Sequence, residues 1–223
     1  MKKIITALFF LILVTGAIAG AAQRDLEIKG KRLVSQSPPF TLTLPSELNL
    51  IYTFSHENPG ENSITRIYFL AKTKGKQVEE MLILQMADRT GASVGPMTMP
   101  PLKPYTEKRM FLKDRARKGG VTIDYLVQLM AWNPDAPSLQ PLVKKGIVIP
   151  PHWALQGQFQ FVYHGKHAVS VRYSRDVDSF EMKVSDVGAA WERGSISGDE
   201  KKAYEVFRKT FLEMMETLRT ITP

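Results

Sequence analysis

The sequence predicts one α+β domain: an antiparallel β-sheet of about six or seven strands with a C-terminal α-helix packed on one face. Three observations lead there. Several segments alternate apolar and polar residues with period two, the mark of a strand with one buried face. Short glycine-bearing turns separate consecutive segments of this kind, as hairpins require. The last segment instead carries apolar residues at spacings of three and four, the helical period.

Taken in chain order, Phe40, Leu42 and Leu44 alternate with Thr41 and Thr43 until Pro45 stops the run. Leu48, Leu50, Tyr52 and Phe54 alternate with Asn49, Ile51 and Thr53, which predicts a second strand with one buried face. Residues 64–72 and 78–87 are two β-rich runs around the turn Lys74-Gly75-Lys76. Their middles, 67–70 and 81–84, are apolar without alternation, which predicts central strands covered on both sides. Val121, Ile123, Tyr125, Val127 and Leu129 mark one long strand. Phe159, Phe161 and Tyr163 alternate with Gln158 and Gln160; after Gly165-Lys166, Val169, Val171 and Tyr173 alternate with Ser170 and Arg172, a second hairpin. Tyr204, Phe207, Phe211, Met214 and Leu218 form one apolar stripe on a helix of about 20 residues. Ser197 and Glu200 have the spacing of a capping box in front of it. Two proline-rich stretches, Thr90 to Pro104 and Asn133 to Pro151, resist regular structure, and loops of that length often carry function.

The chain has 223 residues, 43% hydrophobic and 23% charged, which excludes wholesale disorder and a multi-span membrane protein. It contains no cysteine, so disulfides, thiolate metal sites and cysteine nucleophiles are excluded. Lys2 and Lys3 precede an uncharged stretch from Ile4 to Gln23 that ends in small residues. Ala17-Ile18-Ala19 and Ala19-Gly20-Ala21 both fit a signal-peptidase site, so residues 1–22 are expected to be a cleavable signal peptide. The same stretch is long enough to span a bilayer, but its small-residue tail suits cleavage better than anchoring. The remaining residues, 23–223, are expected to form a single soluble extracytoplasmic domain, periplasmic or secreted.

The whole chain carries a net charge of +8. Without Lys2 and Lys3, 28 basic residues face 22 acidic ones, and nearly all of that excess lies in one segment. Lys108, Arg109, Lys113, Arg115, Arg117 and Lys118 are set against the single acid Asp114. With Tyr105, Leu112 and Ala116 on one side, the segment reads as a short amphipathic helix ended by Gly119-Gly120. Such a segment would face an anionic partner: an anionic envelope component, an acidic protein, or a membrane surface touched peripherally. Nucleic acid is not expected, because no stacking aromatics are interleaved.

No catalytic constellation emerges. Gly194-Ser195-Ile196-Ser197-Gly198 has isoleucine where a nucleophile elbow needs serine. No phosphate-binding loop or dinucleotide fingerprint is present. His164 and His167 flank one turn but are too few to hold a metal alone, Met97 and Met99 are a minimal copper pair, and Asp176 and Asp178 sit beside Arg172 and Arg175. Glu79 and Glu80 are adjacent in a strand and point to opposite faces. Neither a metal nor another cofactor is expected.

The run Phe40-Thr-Leu-Thr-Leu-Pro45, a middle of antiparallel strands, and a terminal helix ending Phe207-Arg-Lys-Thr-Phe211 together resemble the PsbP-like superfamily. That resemblance implies a sandwich of helices around an antiparallel sheet, used by accessory and binding proteins. It carries over no functional residue. The expected function is therefore a non-enzymatic exported accessory or binding protein that works through its proline-rich loops and basic segment. An envelope inhibitor or immunity-type protein is one alternative. A hydrolase with a dispersed site among His152, His164, His167, Asp176 and Asp178 is the other.

Overall fold

Gly75, at φ +61°, lets the chain reverse in two residues between strands that are each more than ten residues long. The computed structural model describes residues 25–90, 95–118, 120–151, 153–180, 191–196 and 198–220. The expected leader, His152 and the expected capping residue Ser197 lie outside the described residues. The strands are β1 (Leu26–Lys29), β2 (Arg32–Gln36), β3 (Pro39–Thr43), β4 (Asn49–Asn58), β5 (Ser63–Lys74), β6 (Gln77–Arg89), β7 (Met110–Lys118), β8 (Val121–Ala131), β9 (Trp153–Tyr163), β10 (His167–Asp176) and β11 (Arg219–Thr220). A short helix, α1 (Gln140–Lys144), lies between β8 and β9, and a long one, α2 (Gly198–Glu216), precedes β11.

Seven strands form one antiparallel sheet in the order β4-β5-β6-β10-β9-β8-β7. Two meanders, β4 to β6 and β7 to β10, meet along β6 and β10, where Leu84 pairs with Val171. A four-stranded sheet, β1-β2-β3-β11, closes the same side as α2, and β11 brings the end of the helix back to β3.

Helix α2 covers one face of the large sheet. Tyr204, Phe207, Phe211 and Met214 are buried there, as the stripe predicts, and Leu218 is buried just beyond the helix end. Removing an aromatic or large aliphatic side chain from water contributes about 1.5–3 kcal/mol, so this stripe is the main attachment of the helix. The ring of Phe207 stacks on Tyr173 with centroids 5.5 Å apart. Phe211 sits over Gly157 of β9, where the missing side chain leaves room for the ring. On the same face the buried guanidinium of Arg66 bridges Asp25 and Asp88 and donates to the Ser37 carbonyl at 2.8 Å. It thereby ties the start of β1 to β5 and β6.

The opposite face is covered in two different ways. Over β4 to β6, α1 and its flanks build a smaller apolar core of Phe69, Val78, Met81, Trp132, Leu142 and Ile149. Tyr68 and Leu70 of β5 point to the helix side while Phe69 and Ala71 point here, so β5 is buried on both faces as its unbroken apolar run predicts. Farther along, over β10, β9 and β8, the proline-rich segment from Pro96 to Tyr105 crosses the sheet as a strap.

Two local readings are corrected. The alternation from Leu48 to Phe54 does not keep to one face: a bulge between Leu50 and Tyr52 shifts the register, so Leu50 packs on the helix side and Tyr52 and Phe54 on the other. The basic segment is not an amphipathic helix. From Met110 onward it is the edge strand β7, paired with β8 and followed by Gly120 at φ +79°, while Lys108 and Arg109 lie in a short 3-10 turn just before the strand. Pairing with an apolar strand already in the sheet outweighs local helix propensity, and charges are well tolerated on an edge. Among the described residues no helix is long and apolar enough to cross a membrane.

Candidate functional site

Strand geometry divides the six basic residues instead of gathering them. On β7 the side chains alternate, so Lys113, Arg115 and Arg117 face the strap side and Lys118 faces α2, while Lys108 and Arg109 precede the strand. Lys118 pairs with Glu216 at the end of the helix. Arg115 pairs with Asp124 at 2.6 Å, and Lys108 with Glu192 at 3.5 Å. The Arg109 guanidinium lies 4.3 Å from the centre of the Trp153 ring, a cation–π contact. Only Lys113 and Arg117 of the six are exposed with no charged or hydrogen-bonded partner among the described residues. The patch is thus smaller than its sequence suggests. Reversing Lys113 and Arg117 to Glu should remove most retention on phosphatidylglycerol vesicles, whereas Lys118→Glu should not; co-sedimentation at low ionic strength checks both. Equal retention of all three proteins would dismiss the patch.

Beside these cations the sheet presents an unusually polar surface. Gln156, Gln158 and Gln160 occupy successive strap-side positions on β9. Gln128 of β8, Gln85 of β6 and Ser170, Arg172 and Ser174 of β10 complete the surface. Most of these side chains are held in place. Gln128 donates to Gln156 at 3.0 Å, Gln156 donates to Ser174 at 3.2 Å, and Gln158 donates to Ser170 at 3.3 Å.

Two glutamines also fix the strap. Gln160 donates to the Pro100 carbonyl at 2.7 Å, and the Tyr105 amide donates to the Gln128 side-chain oxygen at 2.5 Å. At its start, the Met97 amide donates to the Gly165 carbonyl at 2.7 Å, and Arg89 donates to the Pro96 carbonyl at 3.3 Å. Prolines lack the amide hydrogen needed for a sheet ladder, so Pro100 to Pro104 cannot join the sheet edgewise and arches over it instead. Leu102 is buried beneath the arch.

An open cavity of about 640 Å³ remains between strap and sheet. Arg172 and the glutamines line its sheet wall, and Met99 to Tyr105 line the other. Arg172 is partly buried, and burial alone holds its pKa below the ordinary arginine value. Its guanidinium has no carboxylate or hydrogen-bond partner among the described residues. The Gln85 amide is likewise without a partner there. A partly buried cation without a counter-charge is less well solvated than one in water, and a fork of donors facing a cavity suits a planar anion. A second hollow, about 490 Å³ and bounded by Met97 to Met99, contains Asp124, whose charge Arg115 already meets.

The other sequence candidates fall elsewhere. His164 forms the β9–β10 turn at φ +49°, and the Nδ1 of His167 is 2.6 Å from Asp88. Asp176 is buried and Asp178 exposed at the far end of β10. Nine residues of strand separate His167 from Asp176, about 30 Å, so His164 and His167 do not share a site with Asp176 and Asp178. Met97 and Met99 lie on the strap, and Met99 lines the cavity. Glu80 is buried, and the expected opposite-face arrangement of Glu79 and Glu80 is corrected: a bulge interrupts the alternation there, and both carboxylates approach one ammonium, Lys72 Nζ, at 3.9 and 3.4 Å. The glutamines and Arg172 were not among the sequence candidates. Their signal was present in the alternation of Gln158 and Gln160 with phenylalanine and of Arg172 with valine, which reads as an ordinary solvent face until the strap covers it. No family model matches this chain, and neither a curated protein nor a solved structure matches it.

Proposed function

We propose that this is a non-enzymatic exported binding protein that seats an anion-bearing component of the cell envelope between the strap and the glutamine face. The observation that carries the reading is Arg172, a partly buried and unpaired cation on the wall of a cavity built by the proline-rich loop. Lys113 and Arg117 lie on the same side of the sheet and supply a positive approach to it. The leader supports export, and the wide separation of His164 and His167 from Asp176 and Asp178 weighs against a hydrolytic site that joins these two pairs.

Thermal unfolding tests the reading. Wild-type protein and Arg172→Gln are compared in sodium glucuronate, acetate and phosphate, each against sodium chloride of equal ionic strength. An anion present at ten times its Kd should raise the wild-type Tm by about 3 °C. The Arg172→Gln protein should show no such rise, while its Tm in chloride should equal or exceed that of the wild type, because a partly buried cation without a counter-charge has been removed. If none of the three anions exceeds chloride, or if the rise survives in Arg172→Gln, the reading fails.

A further inference from the structure

The surroundings of Arg172 narrow the class of anion, on the reading that the cavity is a binding site. Three features act together. The charged group is a guanidinium, whose paired N–H donors match the two oxygens of a carboxylate. The groups next to it are primary amides. Arg172 pairs across the sheet with Gln158 and sits one row from Gln85 and Ser170. Gln158 uses its nitrogen on Ser170, which leaves its oxygen as an acceptor toward the cavity; Gln85 retains both its oxygen and its nitrogen. Adjacent acceptors and donors of this kind suit hydroxyl groups, each of which donates one hydrogen bond and accepts others. The third feature is the opposite wall, which is mostly apolar and proline-rich: Pro100, Pro101, Leu102 and Pro104, interrupted by the cation Lys103, with Tyr105 at its end 61% exposed. A wall of this kind offers a flat surface to C–H groups, and an aromatic ring left this open has area to spare for a ligand.

We infer that the cavity takes an acidic sugar, with the carboxylate of a uronic-acid-type residue on Arg172, its hydroxyls on Gln85 and Gln158, and its C–H face against the proline strap. A volume of about 640 Å³ lies within the range of sites that enclose small molecules. A purely apolar ligand would leave Arg172 and Gln85 unsatisfied, and a bare inorganic anion would leave the amides and the strap unused.

Titration calorimetry with four probes decides the matter: sodium glucuronate, glucose, sodium acetate and glucose 6-phosphate, each against wild type, Arg172→Gln and Gln85→Leu. Glucuronate should bind wild type at least tenfold more tightly than acetate, glucose or glucose 6-phosphate. Arg172→Gln should reduce glucuronate to the level of glucose. Gln85→Leu should weaken glucuronate by about fivefold and leave acetate unchanged, in line with the loss of one neutral hydrogen bond. If acetate equals glucuronate, or if glucose 6-phosphate exceeds it, the sugar-carboxylate assignment is overturned while Arg172 remains an anion site. If no charged probe binds, both the assignment and the anion-binding reading fail. Circular dichroism of the two variants confirms that they are folded before any loss of binding is counted.

Discussion

Gly157→Ala should destabilise the protein by about 1–3 kcal/mol, the range for forcing an extra methyl group into a filled core. A Cβ at this position would overlap the Phe211 ring. Elsewhere, replacing glycine by alanine in a strand is mildly favourable, because the unfolded chain loses freedom worth about 0.4–1 kcal/mol. Here the overlap is the larger quantity, because Phe211 is fully buried and is held by Phe159 on the same strand, with ring centroids 6.1 Å apart. Phe211→Ala should cost about 3–5 kcal/mol by itself. The double variant should be less destabilised than the sum of the two, since removal of the ring makes space for the methyl. Guanidinium denaturation of the four proteins measures this coupling. A Gly157→Ala protein as stable as the wild type would show that the helix does not sit down on β9 in this way.

The second large effect is acid lability centred on Glu80. Its carboxylate is buried on the helix side, where it accepts hydrogen bonds from Ser46 and Tyr173, each at 2.7 Å, with Lys72 at 3.4 Å. Burial raises its pKa more than any other single influence, but the hydrogen bonds from Ser46 and Tyr173 and the charges of Lys72 and Arg175 together outweigh it and leave the pKa below its ordinary 4.5. A carboxyl with a depressed folded pKa contributes stability that is fully present above its unfolded value. That contribution is lost as the pH falls through the folded value. Glu80→Leu should therefore cost about 2–3 kcal/mol at neutral pH, mostly because the buried Tyr173 hydroxyl loses its acceptor. The gap between wild type and variant should shrink steadily below pH 4.5. A gap that stays constant or widens in acid would refute the charged role of Glu80. Tyr173 responds in the complementary sense: burial first, and then the neighbouring Glu80 charge, push its pKa well above the ordinary tyrosine range.

The strands and the terminal helix were legible because each carries its own period. The stripe from Tyr204 to Leu218 and the hairpins at Gly75 and Gly165 need no tertiary information to be recognised. The chain does not announce where a period breaks. At Leu50 the bulge leaves the residue pattern untouched and changes only which face each side chain meets. The basic segment was misread for a related reason: Lys113, Arg115 and Arg117 alternate with Asp114 and Ala116, a strand-like pattern obscured by helix-forming residues. β1 and β11 have too few residues for a period to show, and β2, as long as β3, hides its period because its buried face pairs Leu33 with the polar Ser35. The cavity was out of reach for a different reason. Nothing local to Arg172 says that residues 100–105 will lie above it. That depends on Gln160 and Gln128 holding the two ends of the strap, a relation between side chains on two strands and the backbone of a third segment.

The meeting line of the two meanders has a consequence for how quickly the native state is reached and left. Each hairpin closes over a few residues, whereas Leu84 must find Val171 across 87 residues of chain. Closing that span costs more chain entropy than closing a hairpin, so the β6–β10 junction is expected to form after the hairpins on either side of it. Gln85 belongs to one side of that junction and Arg172 to the other, and a ligand touching both would act as a clasp across it. Its main effect would then fall on the rate at which the protein comes apart, lengthening the lifetime of the occupied form beyond what equilibrium affinity alone conveys.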